Sequence, residues 1–137
     1  MKGLDGMIRL SKWRLDEARK ELAAAQNAVD QIDQGLANLQ AALDKESGFA
    51  GESLAGFSFG PYAAASFAQR AKLQEQRAKA DAERADKEEV VRAAFQELKK
   101  FEILAERQLE QAKFDAKKRD AAALDELGLQ RHARNQD

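Results

Sequence analysis

The sequence predicts an all-α protein: two long helices folded into an antiparallel coiled-coil hairpin, the second longer than the first. Three observations carry this prediction. The composition is that of long, solvent-bathed helices, with 34% charged residues, 7% aromatic residues, no Thr and a single Pro in 137 residues. Strands draw on β-branched and aromatic residues, and Pro is the strongest helix breaker, so little here can build a sheet or interrupt a helix. Apolar residues recur at alternating steps of three and four. That rhythm is interrupted once, by a stretch rich in Gly and Phe.

The first helix is expected from about residue 4 to 47. With Leu15 at position a, the a series reads Leu15, Leu22, Val29, Leu36, Leu43 and the d series Ala18, Ala25, Ile32, Leu39. Such a seam gives a helix one narrow stripe to place against one partner helix. Gly35 falls inside this helix and costs about 1 kcal/mol relative to Ala without ending it.

The break is expected at residues 48–60, within SGFAGESLAGFSFGP, which holds four of the eight glycines and the only proline. Gly48 is suited to a left-handed residue closing the first helix, and Pro61 to the first turn of the second. Folding back is the only intramolecular way for two such helices to bury both stripes.

The second helix is expected over about 61–131, with a frayed tail at 132–137, the whole forming a single hairpin domain. Its strongest stripe is Val91, Ala94, Leu98, Phe101, Ala105, Leu109, Ala112, Ala116. Two successive steps of four around Ala105 form a stutter that lets the seam drift. Between Gln74 and Glu89 the stripe is weak. Intrahelical pairs are expected between Asp16 and Lys20, Glu83 and Lys87, and Asp115 and Arg119, each worth a few tenths of a kcal/mol. A hairpin closing symmetrically pairs residues whose numbers sum to about 108. Roughly 25 residues after Ala105 then have no partner in their own chain, which points either to an outside partner or to fraying.

Several function classes find no support. The 23 basic and 24 acidic residues are mixed along the chain without a basic stripe, against a nucleic-acid site. No apolar run approaches the ~20 residues of a membrane span, and MKGLDGMIRL lacks the apolar core of a secretory signal, so a cytoplasmic protein is expected. The chain has no Cys, and its one His, His132, reads as a solvated tail residue. No Gly-rich phosphate loop is present, so neither catalytic residues, cofactor nor metal is expected, and no small-molecule substrate.

The aromatic residues point to protein partners instead. Trp13 falls at the outward f position beside Arg9, Lys12 and Arg14. Trp and Arg anchor protein interfaces, so these four residues form a candidate docking patch, unless Trp13 folds over onto the second helix near Phe95. Phe49, Leu54, Phe57, Phe59, Tyr62 and Phe67 crowd the turn, as a small core plugging the hairpin or as a partner-binding knob.

The segment AAFQELKKFEILAERQLEQAKFDAKKRDAAALDELGLQR resembles the FliJ family of flagellar type III export proteins, through Leu98–Lys99–Lys100, the spacing of Glu102, Leu104, Glu106 and Arg107, and the closing Leu124–Asp125–Glu126. Ile8–Arg9–Leu10 and Trp13 to Arg19 resemble the family's opening helix, and FSFGPYA is similar to its alphaproteobacterial members. The resemblance implies a non-enzymatic stalk or adaptor of flagellar biogenesis and motility. It would couple the hexameric export ATPase to the membrane export gate and escort export chaperones, meeting the membrane only through these partners. It also implies ATPase-facing residues Arg9, Trp13, Arg14, Arg107, Asp125 and Glu126, and gate-facing residues Phe57, Phe59, Tyr62 and Phe67. A generic coiled-coil spacer or homodimer is the alternative.

Overall fold

The computed structural model describes two α-helices, α1 (Lys2–Ala50) and α2 (Gly56–Gln136), with side chains described for residues 3–48 and 60–135. The two helices pack against each other, and α2 is the longer, 81 residues against 49. Asp5 in the first turn of α1 and Arg134 in the last turn of α2 match the sign of the helix dipoles.

The chain divides into two compact units. One comprises residues 13–95, the other residues 1–12 with 96–137. In the first, the expected seam is the core of α1: Leu15, Ala18, Val29 and Leu43 are buried, and Leu22, Ala25, Ile32, Leu36 and Leu39 half-buried. The facing residues of α2 are Ala63, Ser66, Leu73, Arg77, Ala80, Arg84, Lys87, Val91 and Ala94, none of them exposed. Their spacing of three and four continues without a gap through residues 73–94, so the stretch that looks weak in sequence is a regular heptad seam with charged residues in it. Arg and Lys can serve there because their long aliphatic stems cover apolar surface while the charged heads reach outward.

Those heads mark the register. Arg77 binds Asp33 with two bonds, Nε to Oδ1 at 2.5 Å and Nη2 to Oδ2 at 3.3 Å. Lys87 Nζ donates to Glu21 Oε2 at 3.2 Å. As the number rises from 21 to 33 on α1 it falls from 87 to 77 on α2, so the helices run antiparallel. The paired numbers add to 108 and 110, the register expected from the sequence. Lys87 thus reaches across to Glu21 rather than back to Glu83, and Lys20 pairs with Glu17 rather than Asp16. The hydrogen bond and charge of Asp33 raise Arg77 above its ordinary value. Those of Arg84 hold Asp81 below the usual carboxylate range.

In the other unit the seam of α1 continues upstream in the same phase through Leu4, Ile8 and Ser11. Leu4 and Ile8 are half-buried, Ser11 is 2% exposed, and Leu98 on α2 is 6% exposed. Among the described residues no buried side-chain nitrogen or oxygen lacks a hydrogen-bond partner, which removes the main cost of placing Ser in a seam.

Two local expectations are corrected. Gly48 does not close α1 in a left-handed conformation. It is helical, no described Gly has positive φ, and the helix continues to Ala50. Pro61 does not open α2 but lies inside it, five residues after Gly56, where it leaves the carbonyl of residue 57 without its usual donor. At the other end α2 extends through His132 to Gln136.

Candidate partner-binding surface

Side chains outside the seam decide what the molecule can hold. Trp13 and Arg14 belong to the unit of residues 13–95, and both are exposed, Trp13 at 60%. The inward positions of this stretch belong to Leu15 and Ala18. Arg9 and Lys12 belong to the other unit and are likewise exposed, as are Arg107, Asp125 and Glu126 of α2.

The residues near the turn divide differently. The side chains of Phe49, Leu54, Phe57 and Phe59 lie outside the described residues. Tyr62 and Phe67 are 38% and 57% exposed. Ala63 and Ser66 take the inward positions there, and Tyr62 and Phe67, one step to either side, are rotated outward.

The largest apolar exposure lies on α2 beyond the seam. Leu109, Phe114, Leu124, Leu127 and Leu129 are 58%, 61%, 68%, 55% and 70% exposed, and every residue of 117–135 is exposed. Single exposed apolar residues are ordinary, but five large ones within 21 residues of one helix are the mark of an interaction surface. An open hollow of about 490 Å³ begins this surface, lined by Leu4, Asp5, Ala105, Gln108, Leu109 and Ala112. Polar chemistry is sparse by comparison: among the described residues no cluster of three or more His, Cys, Asp or Glu is placed to hold a metal ion.

The family model described as flagellar FliJ protein matches residues 1–137, the whole chain. The chain belongs to the FliJ family. It is therefore a component of flagellar protein export. No curated protein and no solved structure matches it. No described helix of this FliJ-family chain is long and apolar enough to cross a membrane.

Which side chains stay exposed was only partly legible. The Trp13 patch announced itself by an aromatic residue off the seam. Leu109, Phe114 and Leu124 belong to the overhang that the sequence leaves without a partner, and they are exposed; Leu127 and Leu129, also exposed, were not named there.

Proposed function

We propose that the protein is the non-enzymatic stalk or adaptor of the flagellar export apparatus, linking the hexameric export ATPase to the membrane export gate and escorting export chaperones. Family membership supplies the setting, and the exposed apolar residues of α2 from Leu109 to Leu129 are the observation that carries the adaptor reading. A helix that leaves such residues in water gains most by covering them with another protein. On this reading Arg9, Lys12, Trp13, Arg14, Arg107, Asp125 and Glu126 face the ATPase. Phe57, Phe59, Tyr62 and Phe67 face the gate. The protein works in the cytoplasm, at the inner membrane only through its partners, and in service of motility and chemotaxis.

The test is binding of the full chain to its cognate export ATPase after Trp13→Ala with Arg14→Ala, helicity being checked in parallel. Anchoring residues of this type typically cost more than 1 kcal/mol each on truncation, so a loss of roughly tenfold or more in affinity is expected. A folded variant that binds as tightly as the parent would remove this patch from the interface.

A further inference from the structure

The seam of residues 13–95 is regular in spacing but uneven in substance. Between Leu73 and Val91 the only apolar residue that α2 turns inward is Ala80; the stems of Arg77, Arg84 and Lys87 fill the other layers. To either side both helices are apolar. The register of the cross-helix pairs places Leu15 and Ala18 against Ala94 and Val91, and Leu36 against Leu73. Arg84 marks the thinnest layer. It comes opposite residues 24–26 of α1, of which only Ala25 is not exposed. Its guanidinium stays on its own helix, Nε donating to Asp81 Oδ1 and Nη1 to Glu88 Oε2, each at 2.8 Å. Local opening within a protein is easiest where apolar contact is thin. We propose that this middle stretch, residues 21–33 of α1 with 77–87 of α2, is a reversible joint where the helices part while the apolar layers on either side stay closed.

The charges themselves ease the parting. Each base that crosses to α1 has a second carboxylate four residues away on α2, Asp81 for Arg77 and Glu83 for Lys87. Side chains at that spacing meet on a helix surface. The charge of Asp81 already acts on Arg77, and Arg84 keeps Glu88 when Arg77 takes Asp81. Glu83 is exposed, and Lys87 turns back to it on leaving Glu21. On α1 the side chains of Glu21 and Asp33 are already 58% and 44% exposed, so they pass into water with little change. Opening therefore strands no buried charge, which is the usual penalty for breaking an ion pair. On closing, the same bases find the same acids, and the register is kept.

The proposal does not rest on the adaptor reading, and its test needs the full chain alone. Residue-resolved amide exchange reads the joint directly. The amides of Ala25 and Ala80 are expected to be at least about tenfold less protected than those of Ala18, Val91, Leu36 and Leu73. Arg84→Leu, which sets an apolar side chain in the thinnest layer, should raise the protection of Ala25 and Ala80 about tenfold or more and leave the flanking four within about twofold. Glu83→Gln removes a carboxylate that Lys87 uses only when the joint is open. It should raise the same two protections by about twofold, the size of one such helix pair. Equal protection along the seam, a uniform rise or none on Arg84→Leu, or no rise on Glu83→Gln would each overturn the proposal.

Discussion

Gly35 sits in the interior of α1 with ordinary helical geometry, and a Cβ built on it meets nothing within 4 Å. Nothing in the fold therefore uses its missing side chain, while its backbone freedom weakens the helix. Gly35→Ala is expected to stabilise the protein by about 0.5–1 kcal/mol, read as a higher denaturation midpoint with unchanged slope. At Val29, 3% exposed, the opposite holds. Val29→Asp buries a charge with no partner and should cost roughly 3–5 kcal/mol, whereas Gln26→Ala, one turn away on the exposed face, should stay within about 0.5 kcal/mol. Similar shifts for these last two substitutions would mean that the seam is wrongly assigned.

At the level of elements, the two helices differ in how plainly they announced themselves. The seam of α1 was legible because Leu, Val and Ile hold its a and d positions from Leu15 onward. The helix was expected from about residue 4, but its seam was traced only from Leu15 because Ser11 breaks the apolar pattern upstream. The middle of α2 was harder, since Arg77, Arg84 and Lys87 carry charges that a hydropathy pattern counts as outward-facing. Only the three-dimensional pairing shows that their stems lie along the seam. Gly48 and Pro61 misled for a related reason: both are punctuation by type, and both are absorbed into long helices.

The Arg77–Asp33 pair allows a sharper test of α2. Both side chains keep over 40% of their exposure, so solvent screens the attraction, and the coupling between Arg77→Ala and Asp33→Ala in a double-mutant cycle should be only about 0.5–1 kcal/mol. That coupling should shrink as salt rises, because shared exposure lets counterions compete for the two heads. A coupling of zero at low salt would show that the two side chains do not meet in solution.

For the whole molecule, fold class, helix order and register followed from sequence because one repeating stripe and one interruption leave few ways to bury apolar surface. Function followed less directly. Membership of the FliJ family places the chain in flagellar export, but exposed positions, where many sequences serve equally well, say little about a partner. Trp13 is recognisable only because a large aromatic is costly to leave in water. Asp125 and Glu126 look like any solvated acidic residues.

The two cross-helix pairs have a meaning beyond their small energies. If α2 slid by one heptad along α1, Leu, Val and Ala would still stack on Leu, Ala and Ile, and the apolar layers alone could hardly tell the error from the correct fit. The same slide would carry Arg77 about 10 Å from Asp33, and Lys87 as far from Glu21. Greasy layers make the helices adhere; the two ionic pairs act as a vernier that tells them where to stop.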